Sequence, residues 1–169
     1  MDRETLVQRI RSGECAGAEL GAVDLSGCDL SGADLSNTRL SCAKLSGCNL
    51  SGANLHHAFL DGANLEDADL SGANLEFAVL AAANLNRANL TGANLQRANL
   101  VGTRAHEARF DGAKLYYSRP GNGDFQGASF RDADIQRAIF RRANLANADL
   151  RGATGQANFD RANLEGAQQ

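Results

Sequence analysis

Apolar residues recur at every fifth position of the chain. Leu20, Leu25, Leu30 and Leu35 open a series that keeps this spacing through Leu100. It continues as Ala105, Phe110, Leu115, Pro120, Phe125, Phe130, Ile135, Phe140, Leu145 and Leu150, which makes 27 units without an insertion. Two residues before each centre sits a small residue, mostly Ala, as at Ala33, Ala53, Ala73 and Ala93. A polar residue, mostly Asp or Asn, separates the two, and Ser-Gly often follows the centre. An α-helix does not fit, because five residues overshoot a full turn by about 140° and would spray the leucines around the axis. A straight strand fails too, since an odd period sends alternate leucines to opposite faces. The pattern is satisfied by a short extended piece followed by a bend. The small residue and the centre then point inward together, and glycine accepts φ > 0 at the bend without steric cost.

On units such as Ala33-Asp34-Leu35 and Ser51-Gly52-Ala53-Asn54-Leu55 the chain resembles a pentapeptide-repeat protein, over about residues 18–167. The resemblance implies an all-β fold, a right-handed quadrilateral parallel β-helix with four pentads per coil and coils about 4.8 Å apart. Four sides per coil predict that residues 20 apart share a column. Gly32, Gly52, Gly72, Gly92, Gly112 and Gly152 form such a column, broken by Asp132. The corner Asn37, His57, Phe77, Arg97, Tyr117 and Arg137 has no glycine, so the corners are expected to use different turns. Nearly seven coils give a rod of roughly 35 Å.

Two parts follow: a capping helix within 1–13 and the β-helix over 14–169. Asp2 can cap the helix, Leu6, Val7 and Ile10 share one of its faces, and Gly13 can end it. Its expected task is to cover the first coil and its unpaired edges. No such helix follows Ala153, so Phe159 and Leu164 are expected to bury each other's surface in a homodimer through the C-terminal coils. Two irregularities interrupt the order. Pro120, within 116–123, removes a ladder donor and is expected to make a local bulge. Ala153-Thr154-Gly155-Gln156 reads as a four-residue unit, at 153–156, that shifts the register by one.

Aromatics make up only 5% of the chain and Trp is absent, so the core must be narrow and built from Leu and Ala. No apolar run approaches the ~20 residues that span a bilayer, and the charged N-terminus does not read as a secretory signal. A cytoplasmic protein is expected, with a secreted effector lacking a cleaved signal peptide as the alternative. Cys15, Cys28, Cys42 and Cys48 form no CxxC pair and no zinc-ligand spacing with His, so they read as structural thiols; no cofactor and no metal are expected. His56 and His57 are outward neighbours, with Glu76 one coil above His56. The serines lack a His or Lys base, so no catalytic residue is assigned. The Asn columns, such as Asn54, Asn74 and Asn94, read as polar ladders.

Two surface features stand out. Phe59 and Val79 replace the usual Asp or Asn in one column, Phe77 lies above His57 at the neighbouring corner, and Val101, Arg97, Tyr116 and Tyr117 continue the same edge. Clustered outward apolar residues point to contact with a protein partner, not with nucleic acid or membrane. The charge is also polar along the rod: residues 1–80 hold 12 acidic and 5 basic residues, and 81–169 hold 8 and 12, with Arg131, Arg137, Arg141, Arg142 and Arg151 clustered late. Such asymmetry can steer a partner. The function expected is a non-catalytic protein-binding rod, a scaffold or adaptor, in a bacterial protein. The alternative implied by the resemblance is a quinolone-protecting protein that mimics DNA and docks on gyrase. Against that pattern, acidity here stops at mid-rod and no long loop is inserted.

Overall fold

A computed structural model describes residues 2–169; Met1, at the start of the expected capping segment, lies outside the described residues. The one helix, α1 (Arg3–Arg11), begins where Asp2 Oδ1 accepts from the Thr5 amide at 2.9 Å. It ends in a Schellman motif: Gly13 sits at φ 79°, its amide donates to Ile10 O, and the Glu14 amide donates back to Arg9 O. Ile10 is fully buried, with Leu6 and Val7 packed beside it against the first coil. Arg3 lashes the helix to that coil through the Ser26 carbonyl and the Cys28 thiol.

The rest of the chain is a coil of 20 residues per turn. Parallel bridges join Asp29 to Asn49, Asn49 to Asp69 and Asp69 to Asn89, and the other three sides repeat the same step. The expected parallel pairing is therefore present, but as single-residue bridges; no continuous strand forms among the described residues. The cause is the short side, where three extended residues between two turns leave one residue to pair.

One pentad shows how every amide finds a partner. The Asn49 amide donates to Cys28 O one coil back, and Leu50 donates to Asp69 O one coil ahead. Gly52 donates to Ser71 O, and Ala53 closes the turn onto Leu50 O. The fifth amide, Ser51, is capped by the Asn49 side chain at 3.1 Å. Asp and Asn thus occupy that position because their carbonyl oxygen reaches the amide two residues on. They form the expected ladder as well: Asn49 Nδ2 donates to Asp29 Oδ1 at 3.1 Å, and Asn94 donates to Asn74 at 3.2 Å.

The expectation of different turns at different corners is not met. Gly52 and Gly72 have φ 64°, and His57, Phe77, Arg97 and Tyr117 have φ 56°, 58°, 57° and 55°. Both corners use one turn with positive φ at its third residue, the sign pattern of a type II turn. The stacked coils dictate that geometry, and side chains that disfavour it locally are carried along.

The core is a single column of Leu and Ala, with no exposed surface from Leu40 through Leu100 at the centre positions. Phenylalanine takes over later, with Phe110 stacked on Phe130 at 4.7 Å. Gly123 replaces the usual Ala because a Cβ there would lie 2.5 Å from the Phe125 ring. The bulge expected at 116–123 does not form. Pro120 is buried in register and the turns on either side are intact; the one loss is the Arg119–Ile139 bridge, because proline has no N–H to give to the Ile139 carbonyl. The register shift is real but lies later than expected. Gly155, at φ 90°, takes a centre position, the short unit is 156–159, and bridges then step by 19, as from Asn144 to Asn163. A side chain at Gly155 would meet the Gln136 backbone at 2.6 Å.

A candidate protein-binding face

The capping position follows its rule on three sides of the rod. Where Asp or Asn is missing there, the replacement is polar or charged, as at Lys44, Arg104, Arg109 and Lys114. The fourth side differs. Its column runs Arg39, Phe59, Val79, Asn99, Arg119, Ile139, and it holds every apolar residue found at a capping position. Phe59 is 41% exposed and Ile139 40% exposed, with Val79 half-buried between Phe59 and Asn99. Phe59 and Val79 leave the amides of Asp61 and Ala81 without the side-chain cap that Asn74 gives Glu76 at 3.2 Å.

The corner beside this column is a stack of rings and guanidinium groups. His57 and Phe77 lie parallel, 4.8 Å apart, and the Arg97 guanidinium sits 5.3 Å from the Phe77 ring. Arg137 repeats the arrangement over Tyr117 at 5.1 Å and donates to the Tyr117 hydroxyl. Tyr116 meets Tyr117 edge-on, 4.6 Å between centroids. Arg39 lies 5.6 Å from the Phe59 ring. The coil spacing enforces these contacts, since a flat group at one corner meets the flat group one coil above at stacking distance. Phe59, Phe77, Val79, Arg97, Tyr116 and Tyr117 thus share one side and its edge, and Val101 stands half-buried at the far corner of that side. Sequence reasoning left Ile139 and Arg39 out and placed Arg137 in the corner column without assigning it to this face; continuing the Phe59–Val79 column by steps of 20 finds Ile139.

Phe159 and Leu164 lie elsewhere. Phe159 stacks on Phe140 at 5.3 Å and, with Ile135 and Leu150, lines a depression of about 240 Å³ at the end of the rod.

The late arginines form less of an open basic field than their number suggests. Arg151 and Arg131 hold the Asp149 carboxyl far below the usual carboxylate range, and Arg141 reaches Asp160 at 3.1 Å. Arg87 bridges Glu66 and Asp67 at 2.6 and 2.8 Å. His106 Nε2 lies 2.5 Å from Asp124, and His56 lies 3.9 Å from Glu76. Among the described residues no group of three His, Cys, Asp or Glu side chains could hold a metal ion. The cysteines are free, and burial pushes the Cys48 thiol up to about 11.

A family model described as pentapeptide repeats matches residues 14–52, 48–86, 83–116 and 124–154, in eight copies. The chain belongs to the pentapeptide-repeat family. The unmatched stretch between the last two segments contains Pro120. Among solved structures it is similar to a pentapeptide-repeat protein of the Arabidopsis thaliana thylakoid lumen, at 32% identity over 76% of this chain and 72% of that one, TM-score 0.41. It is also similar to HetL, a protein involved in heterocyst differentiation regulation in the cyanobacterium Nostoc, at 27% identity over 99% and 94%, TM-score 0.35. QnrB1, a plasmid-mediated fluoroquinolone resistance protein, aligns at 22% identity over 99% and 86%, TM-score 0.46. No curated protein matches the chain.

Proposed function

We propose that this chain is a non-catalytic, protein-binding rod, a scaffold or adaptor that docks a partner on the side carrying Phe59, Phe77, Val79, Arg97, Val101, Tyr116 and Tyr117. The coil is taken to wind as the right-handed square β-helix of its family. A second copy is taken to cover the last coil at Phe159 and Leu164. The free thiols accord with a cytoplasmic setting; among the described residues no helix is long and apolar enough to cross a membrane.

The observation that carries the reading is the placement of the apolar capping residues. An apolar residue there forfeits a side-chain hydrogen bond to the backbone and exposes carbon to water. Lys44, Arg109 and Lys114 give up the cap on the other sides, but they keep a charge in water; chance would scatter apolar replacements over all four sides. Here Phe59, Val79 and Ile139 share one column, beside a ring-and-guanidinium edge. Large rings and arginine are the side chains that interfaces concentrate.

Phe59→Asn combined with Phe77→Gly tests this. The asparagine can cap the Asp61 amide, and the glycine occupies φ 58° without a Cβ. Stability is expected to stay within about 1 kcal/mol of the parent in urea melts, because the gained cap and relaxed φ offset the lost stacking. Affinity capture from the native host is expected to lose the specific partner. Equal capture by parent and variant would overturn the reading.

The gyrase-docking alternative asks for acidic outward columns, whereas this side carries Arg39, Arg97, Arg119, Arg137, Arg141 and Arg142 against Glu19, Asp61, Glu76 and Asp160. A supercoiling assay with and without quinolone separates the two; protection of gyrase would favour the alternative.

A further inference from the structure

The side that carries the apolar column is not flat along its whole length. Beyond Val101 it sinks into an open cup of about 240 Å³, whose lining includes Val101, Arg119, Gly121, Ile139 and Arg142. Two local features open it. The bridge between Arg119 and Ile139 is missing at Pro120, and Gly121 stands at a corner place that Ala81, Val101 and Arg141 fill with side chains. A Cβ at Gly121 would lie 3.2 Å from the Arg141 carbonyl, so backbone forms that part of the floor.

The charges around the cup are uneven. Arg131 and Arg151 are satisfied by Asp149, and Arg141 by Asp160 at 3.1 Å. Arg119 and Arg142 have no carboxylate within 4.0 Å among the described residues. They flank Ile139, which is 40% exposed. A patch of two unpaired guanidinium groups around an exposed aliphatic side chain has two needs at once. It attracts negative charge, and it gains by removing carbon from water.

We infer that this cup docks an acidic segment of the partner protein, an extended peptide that lays an apolar side chain on Ile139 and Val101 and carboxylates on Arg119 and Arg142. Duplex DNA answers the charge but not the floor, because a row of phosphates has nothing to bury against Ile139. The inference rests on the protein-binding reading of this side and names the chemistry of what binds there.

The test is fluorescence anisotropy of the full chain with a fluorescein-labelled peptide of alternating glutamate and leucine. Matched glutamine–leucine and lysine–leucine peptides and a labelled DNA duplex are the comparison arms. The acidic peptide is expected to bind at least about tenfold more tightly than the neutral one, and several-fold more weakly once salt shortens the screening length. Arg119→Glu with Arg142→Glu is expected to weaken it by about tenfold or more. Arg104→Glu with Lys114→Glu, on other sides of the rod and of equal charge change, is expected to leave it intact. Absence of acidic-peptide binding, equal binding to both charge variants, or preference for the duplex would overturn the inference. If Phe59→Asn with Phe77→Gly loses the host partner while Arg119→Glu with Arg142→Glu keeps it, the cup falls and the protein-binding side stands. If neither variant loses it, both fall.

Discussion

At the scale of single residues, the capping position decides most of what distinguishes one part of this chain from another. Asn74 serves three partners: its Oδ1 accepts from the Glu76 amide and from Asn94 Nδ2, both at 3.2 Å, and its own Nδ2 reaches Asn54 at 3.5 Å. Asn74→Ala is expected to cost about 1–3 kcal/mol in urea melts, since a backbone amide loses its partner. Where the cap is aspartate, stability becomes dependent on pH. The Ser26 amide and hydroxyl hold Asp24, and the hydroxyls and amides of Ser31 and Ser36 hold Asp29 and Asp34, below the ordinary aspartate value of 3.8. A carboxyl with a depressed folded-state pKa binds its proton more readily when unfolded, so its contribution is complete above 3.8 and is lost as pH falls through the lower folded value. Acid titration followed by hydrogen exchange is expected to loosen the first coils below about pH 4, ahead of the asparagine-capped middle. Uniform loss along the rod would contradict this.

At the scale of the element, a coil is one layer of inward Leu and Ala clamped between two others. Leu75 has no exposed surface, while Glu76, next in the chain, faces out toward His56. Leu75→Ala is expected to cost about 2–5 kcal/mol, because rigid neighbouring coils cannot collapse into the cavity. Glu76→Ala is expected to cost less than about 0.5 kcal/mol. Similar losses in denaturant melts would show the layer to be wrongly assigned. The period of five made the inward and outward positions legible in advance, and the period of 20 made the columns legible. Local preference predicts different turns at the glycine-free corners, and the stacking of the coils overrides it. Phe77 and Tyr117 would avoid positive φ in isolation, yet each amide must meet a carbonyl one coil away, as Phe77 meets Gln96 O at 3.0 Å. The same demand keeps Pro120 in line, where a bulge would have broken several ladder bonds to accommodate one missing donor.

At the scale of the whole molecule, the rod has two unlike ends. α1 buries Ile10 on the first coil, whereas at the other end Phe159 lies half-buried over Phe140 beside an open depression. A two-fold contact burying Phe159 and Leu164 in both copies is expected, with Asp160 and Glu165 offsetting part of the repulsion between the basic halves. Light scattering at micromolar concentration is expected to give about twice the 17.8 kDa chain mass. A monomer, or a dimer that Phe159→Asp with Leu164→Asp leaves intact, would refute that contact. The sequence by itself determined the repeat, the columns, the capping helix and most of the apolar edge, because each of these is a matter of spacing along a chain that never leaves its period for long. Only the tertiary structure decided which outward residues act together. Ion pairs consume Arg131, Arg141 and Arg151 and, among the described residues, leave Arg119 and Arg142 unpaired around Ile139. Spacing fixes which column a side chain occupies. Whether a charge in that column is already satisfied depends on neighbours one coil away and around a corner, which no single period along the chain encodes.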